Sequence, residues 1–325
     1  MNPVRRTIND IPVISGKRVL LRLSLNVPIK DGQVADDFRI EKSLPTLQTL
    51  VDKGAKVTVI SHLGSDGGAS LAPIESYLRA HIKGDFKVLP NLRVDPREKL
   101  GDESLARELT HDQDIFVNED FAASHRQHVS IVGVPKFLPS YMGLQFAQEI
   151  DHLSRALNPK SPCVVILGGA KLDTKIPMIK AFLDKSEKIF LGSYFLTEKD
   201  KLVDHPKVIL PVDTREVDGR PMDIGPMALE EIERAIRSAA TIIWNGPMGK
   251  FEDGYDQATL ELARTIANTS AQSYVGGGDS ISAIRKLNLL DKFTFVSTGG
   301  GAMLDFLAHG TLPGIEAILK SKLNL

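Results

Sequence analysis

VVILGGAKLDTKI, residues 164–176, decides the reading of this chain. Cys163 and the four apolar residues Val164, Val165, Ile166 and Leu167 form a short unbroken run, which suits a strand buried on both faces. Gly168, Gly169 and Ala170 then break it, and Lys171 and Lys175 follow at helical spacing. A strand that ends in small residues and opens a helix presents backbone N–H groups, a ready anion site. Two lysines one turn apart are expected on one face of that helix. A plain strand–turn–helix with solvated lysines fits the same thirteen residues, and the segment alone does not choose between the two.

Three further segments share the pattern. YVGGGDS (274–280) reads as strand, glycines, then Asp279 and Ser280 at a helix start. IIWNGPMGKFE (242–252) is a strand entering a polar loop with Asn245 and Glu252, and FVSTGGGAMLDFL (295–307) repeats strand, triple glycine and helix. None fits the phosphate-loop spacing G-x-x-x-x-G-K-S/T or the dinucleotide fingerprint G-x-G-x-x-G. Each cluster alone is weak, since tight strand-to-helix packing also wants glycine.

Taken in order, these segments resemble phosphoglycerate kinases. The resemblance runs from Lys17 to Ile318 and includes KRVLLRLSLNVPIKDGQVADDFRI (17–40), GAKVTVISHLG (54–64), NLR (91–93), VNEDFAASHRQH (117–128) and VGVPKFLP (132–139). LGGAKLDTKI, PVD (211–213), DIGP (223–226), WNGPMGKFE, GGGDS and STGGGA continue it. It implies two Rossmann-like three-layer αβα domains with mainly parallel sheets, joined by a helix hinge. The implied activity is reversible, magnesium-dependent phosphoryl transfer between ATP and the carboxylate of 3-phosphoglycerate.

Composition is compatible with that. A chain of 325 residues is long for one domain. Forty basic and 41 acidic residues leave a net charge of −1, so no global field attracts nucleic acid or an anionic membrane. The single Cys163 excludes an internal disulfide and reads as a small buried hydrophobe. No apolar run approaches the roughly 18 residues of a membrane span, and no apolar core follows Arg5 and Arg6 as in a secretory signal. A cytoplasmic monomer acting on small molecules is the expectation.

Strand-like runs alternate with helical patterns. RVLLRL (18–23), KVTVIS (56–61), FKVLP (86–90) and DIFVN (114–118) read as strands; 43–54 and 70–84 read as amphipathic helices. LQFAQEIDHLSRALN (144–158) is one helix, ended by Pro159 and Pro162. The strand pattern restarts with CVVILGG, KIFLGS (188–193), KVILPVD (207–213), TIIWNG (241–246), SYVGGG (273–278) and FTFVST (293–298). The expected domains are 1–143 for 3-phosphoglycerate, with 311–325 a candidate to pack back on it, and 159–310 for nucleotide, joined by the helix 144–158. Ligands are expected beyond the carboxyl ends of the strands.

In the first domain the resemblance implies an anion pocket of Asn26, Arg39, His62, Arg93 and Arg126, placed in loops after strands. Arginine suits this task because its planar fork holds phosphate and carboxylate bidentately. His125 and His128 read as structural. Two family positions differ: an aspartate is Ser24 and an arginine is Ser65. Losing one charged hydrogen bond costs about 1.5–3 kcal/mol, and Arg97 is a candidate replacement.

In the second domain the resemblance assigns nucleotide binding to Lys171, Lys175, Asn245, Glu252, Gly277, Gly278, Asp279 and Ser280. Asp279 is the expected contact for Mg2+, and Gly299–Gly301 a further source of backbone donors. Arg39 and Lys175 are the expected catalytic pair, on the equatorial oxygens of the transferring group. The segments 191–213 and 214–222 are short for the family, so the adenine wall is altered. A catalytically weakened nucleotide-binding relative, or a kinase for another small carboxylate, remains the alternative; an NAD-dependent oxidoreductase lacks its fingerprint.

Overall fold

The computed structural model describes residues 6–322. Residues 1–5 and 323–325, the outer ends of the expected first domain, lie outside the described residues. The chain divides into two units: residues up to Ile150 together with those from Thr311 onward, and Asp151–Gly310.

The first unit contains strands β1 (Arg18–Arg22), β2 (Ile29–Lys30), β3 (Gln33–Val34), β4 (Lys56–Ile60), β5 (Phe86–Val88), β6 (Ile115–Asn118) and β7 (Ser140–Met142). Its helices are α1 (Phe38–Asp52), α2 (Ala72–His81), α3 (Arg97–Leu100), α4 (Glu103–Thr110) and the start of α5 (Leu144–Ala156). Five strands form a parallel sheet in the order β5-β4-β1-β6-β7. Alternation along β1 sends Val19 and Leu21 into a cluster with Ile40, Leu47, Leu50, Ile74 and Leu78 of α1 and α2. Leu20 enters a second cluster with Phe116, Val134 and Leu138 on the other face. Both faces are therefore covered, as an all-parallel sheet requires.

Three features differ from the sequence reading. Helix α1 begins at Phe38 rather than near Ser43, with Pro45 inside it. The apolar period is legible only from Ser43, but Asp36 Oδ1 accepts the Phe38 N–H at 3.1 Å and starts the helix earlier. Arg39 thus sits on a helix, not in a loop. Strand β7 pairs on the edge through Phe116↔Ser140, too short to show a pattern. The β2–β3 hairpin turns through Asp31 and Gly32, both at positive φ, an Asp-Gly turn signal present in the sequence.

The second unit holds β8 (Cys163–Leu167), β9 (Lys188–Leu191), β10 (Val208–Ile209), β11 (Thr214–Val217), β12 (Arg220–Ile224), β13 (Thr241–Asn245), β14 (Gln272–Gly276) and β15 (Phe295–Val296). Its helices are α6 (Ile176–Phe182), α7 (Pro226–Ser238), α8 (Gln257–Ala267), α9 (Gly278–Lys286) and α10 (Gly300–His309). The parallel sheet runs β10-β9-β8-β13-β14-β15. Every residue of β8 and β13 is buried. Burial pushes the Cys163 thiol up to about 12, so it is an inert core residue. Segment 214–222, read as a reduced insertion, lies in an antiparallel hairpin of β11 and β12 that turns at Asp218 and Gly219.

The chain then re-enters the first unit through α11 (Pro313–Lys320). Gly314 N–H donates to the Ser124 carbonyl at 2.9 Å, and Arg6 donates to the Ser321 carbonyl at 2.6 Å. No helix among the described residues is long and apolar enough to cross a membrane.

Candidate active site

In each sheet the strand order reverses beside a central strand, β1 in the first and β8 in the second. The crevice at the carboxyl ends of such strands is where open α/β sheets bind ligands.

At the end of β1 stands Arg22, fully buried in an otherwise apolar strand. It pairs with buried Asp120 at 2.9 Å and donates to Ser130 Oγ at 3.0 Å, Ser61 Oγ at 3.2 Å and the Leu23 carbonyl at 2.8 Å. A fifth partner is His62 Nδ1, at 2.7 Å. Because a guanidinium only donates, Nδ1 must accept, and Nε2 carries the proton. Burial, then the charges of Arg22, Arg93 and Arg126, hold His62 far below the usual histidine range. It is a neutral hydrogen-bond donor among cations.

Arg93 lies in a short 3-10 turn at Leu92–Val94 and is almost wholly buried. Its Nη1 meets His128 Nδ1 at 3.3 Å, while its Nε is buried with no partner. Burial, then the positive charges of Arg93 and Arg126, bring His128 down to about 4. Exposed Arg126 thus acts electrostatically on the same group of residues. Arg39, in the first turn of α1, donates to the Asn26 carbonyl at 2.7 Å, and Asn26 Oδ1 accepts the Gly64 N–H at 3.0 Å. The structure therefore brings Asn26, Arg39, His62, Arg93 and Arg126 around one loop system. The network beneath them, Arg22, Asp120, Ser130 and Glu98, escaped sequence reasoning as a unit. Its one signal was an arginine inside an apolar strand, which demands a buried partner.

Arg97 is not the replacement cation expected for Ser65. Its guanidinium is held by Asp95 at 2.7 Å and by Glu108 at 2.8 Å, so its charge is already compensated. Those carboxylates push its pKa up.

In the second unit the glycines do a different task from the one expected. Gly168 N–H donates to the Asn245 carbonyl at 2.9 Å and Gly169 N–H to the Pro247 carbonyl at 2.8 Å. These donors bind protein, not an anion. A Cβ on Gly168 would sit 1.9 Å from the Pro247 oxygen, so only glycine lets the two loops meet. Nor do the lysines share a helix face. Lys171 precedes a 3-10 turn at Leu172–Thr174, and α6 begins only after Lys175. Lys171 is exposed, whereas Lys175 is buried. The Lys175 ammonium reaches the Lys171 carbonyl at 3.5 Å and pairs with no carboxylate among the described residues. Burial, with a smaller push from Lys171, brings it down to about 8.

Asn245 Nδ2 donates to the Gly300 carbonyl at 3.0 Å, and Ser280 Oγ accepts the Gly246 N–H at 3.0 Å. Both tie the β13 loop to its neighbours. Gly299 N–H is spent on Ser297 Oγ at 3.2 Å. Gly277 precedes α9 at φ +101°, and Gly278, Asp279 and Ser280 form its first turn, where leading N–H groups lack helical acceptors. Asp279 is pushed up by desolvation and by the charge of Glu252, which lies exposed nearby. Among the described residues no three histidine, cysteine or carboxylate groups gather as a metal cage. Asp279 alone fits instead a Mg2+ that arrives on nucleotide phosphates, since Mg2+ takes only one or two carboxylates in such sites.

The family model described as phosphoglycerate kinase matches residues 8–85, 71–198 and 193–310. A phosphoglycerate kinase of Borreliella afzelii is 35% identical, with 97% of this chain and 99% of that protein covered. One of Thermus thermophilus is 36% identical, with 96% and 99% covered. The Borreliella alignment spans 392 positions against 325 residues here, so this chain omits internal segments that the relative has. Among solved structures, a phosphoglycerate kinase from Pyrococcus horikoshii superposes with a TM-score of 0.86 at 27% identity. It covers 97% of this chain and 99% of that one. One from Coxiella burnetii gives 0.76 at 29% identity, with the same coverage.

Proposed function

This chain belongs to the phosphoglycerate kinase family, and we propose that its first unit holds 3-phosphoglycerate and its second holds the nucleotide. The reaction is reversible phosphoryl transfer between ATP and the carboxylate of 3-phosphoglycerate, giving 1,3-bisphosphoglycerate and ADP, a step of glycolysis. One observation carries the residue-level reading: Lys175 is a buried ammonium with no carboxylate partner among the described residues. A buried charge needs a counter-charge, and a polyphosphate at the end of β8 supplies it.

Arg93 and Arg126 provide positive charge for the substrate anions, neutral His62 donates from Nε2, and Asn26 fixes the Arg39 helix start against the Gly64 loop. The acceptor carboxylate is ionised at neutral pH, so no general base is required. Its oxygen bonds to the γ-phosphorus as the bond to the β,γ-bridging oxygen breaks and ADP departs. Arg39 and Lys175 compensate charge on the equatorial oxygens, where positioning and electrostatics dominate catalysis. Asp279 would hold a Mg2+ carried in on the nucleotide, and that ion would supply charge neutralisation of the phosphates. Glu252 is assigned to the ribose hydroxyls. Lys171 adds charge near Lys175, while Gly277, Gly278 and Ser280 shape the phosphate loop. The partners are then small molecules, the expected location is cytoplasmic, and the expected state is a monomer.

A coupled assay with ATP and 3-phosphoglycerate, beside an ATPase control without acceptor, tests the reading. Turnover dependent on 3-phosphoglycerate is expected. Calorimetry with MgADP and MgGDP tests the nucleotide half separately, and the absence of heat with both at millimolar concentration would overturn that assignment.

A further inference from the structure

The loop that carries His62 continues through Ser65 and returns over Arg93. A Cβ on Gly67 would lie 2.4 Å from the Arg93 carbonyl carbon, and Gly67 has φ +87°. That close approach brings the Ser65 backbone beside the segment that follows Arg93. There, the Lys99 ammonium donates to the Ser65 carbonyl oxygen.

Lys99 is positioned by the two residues that precede it. Glu98, fully buried, accepts from Ser130 N–H at 2.9 Å and Ser130 Oγ at 2.6 Å. Ser130 also receives Arg22 Nε, so the base of α3 is fastened to the network under His62. Arg97, clamped by Asp95 and Glu108, fixes the preceding turn. Adjacent residues on a helix project roughly 100° apart. With Glu98 committed inward, Lys99 is left exposed, and it reaches the loop at Ser65.

Lys99 pairs with no carboxylate among the described residues. An ammonium has three donors, and the structure spends one on Ser65. We propose that Lys99 is a substrate-binding residue of the 3-phosphoglycerate pocket: it supplies, from α3, the positive charge that Ser65 does not, and takes an anionic oxygen of the substrate. This rests on the functional reading given above. A merely solvated surface lysine is the competing description.

The test is the KM for 3-phosphoglycerate at saturating MgATP in wild type, Lys99→Met, Lys99→Arg and Lys53→Met. Lys53 is exposed at the C-terminal end of α1, before β4 and so away from the strands' carboxyl ends, and controls for loss of one unit charge. Lys99→Met is expected to raise KM by about ten- to hundredfold, the scale of one charged hydrogen bond. Its kcat should stay near wild type, Lys99→Arg should largely restore KM, and Lys53→Met should change little. If Lys99→Met behaves as Lys53→Met does, or loses kcat with KM intact, the Lys99 assignment is overturned while wild-type turnover leaves the functional reading standing. A wild type with neither turnover nor heat of binding for 3-phosphoglycerate overturns the functional reading, and this assignment with it.

Discussion

Arg22 donates to His62 Nδ1 at 2.7 Å in the interior of the first unit, while its other guanidinium nitrogen pairs with Asp120. One buried arginine therefore sets the histidine tautomer and holds the acidic residue that balances it.

Arg22→Met is expected to cost about 3–5 kcal/mol, because it leaves Asp120 buried and unpaired. Urea unfolding measures this. A loss below about 1 kcal/mol, the scale of an exposed pair, would show that the pair is solvated in solution. The same variant frees His62 Nδ1 and removes a positive neighbour. With His62 lowered in the folded state, wild-type stability from this group is present above pH 6.5 and falls as the pH drops below it, since the unfolded chain then binds the proton more readily. Arg22→Met should reduce that acid sensitivity.

Lys175→Ala should lower kcat far more than it raises the KM for 3-phosphoglycerate. Charge on the transferring group is matched best at the transition state, so its loss appears in turnover. Steady-state kinetics with both substrates varied separates the two constants, and a near-normal kcat would remove Lys175 from the reaction.

Proton uptake should accompany MgADP binding near pH 8. Free Lys175 titrates at about 8 because burial disfavours its charge. A bound polyphosphate favours the charged form and raises the value, so affinity should fall as the pH rises above 8. Calorimetry in two buffers of different ionisation enthalpy reads the proton count, and identical heats in wild type would contradict the assignment. Lys175→Ala should abolish the difference.

Ser65→Arg alone should leave the KM for 3-phosphoglycerate unchanged or raised, because Lys99 already occupies that loop and a second cation adds repulsion. In the Lys99→Met background the same change should lower KM. Nucleotide affinity should stay constant in both, since its residues belong to the other unit. A large drop in KM from Ser65→Arg alone would mean that the position lacks charge in wild type.

The sequence by itself determined the α/β class, the central strands β1, β8 and β13, and the candidate residues at their carboxyl ends. These are local signals: apolar runs of strand length, glycines at their exits and ordered motifs such as WNGP and GGGDS. The short edge strand β7 has too few residues to show a period, so only sheet pairing defines it, whereas β10 lies within the run 207–213 read as a strand. Helix α1 starts at Phe38, before the segment 43–54 read from its apolar period, because Asp36 Oδ1 accepts the Phe38 N–H, a local side-chain contact that apolar periodicity does not show. Tertiary structure alone decided what each candidate does. Gly168 and Gly169 looked like anion donors, yet their N–H groups meet carbonyls nearly eighty residues away. Lys171 and Lys175 looked equivalent, yet burial separates them. Arg97 looked available, yet Asp95 and Glu108 hold it, and Lys99 reaches Ser65 instead. Hydrogen-bond partners and desolvation depend on groups remote in the chain, and no spacing of residues along it encodes which of them arrive first.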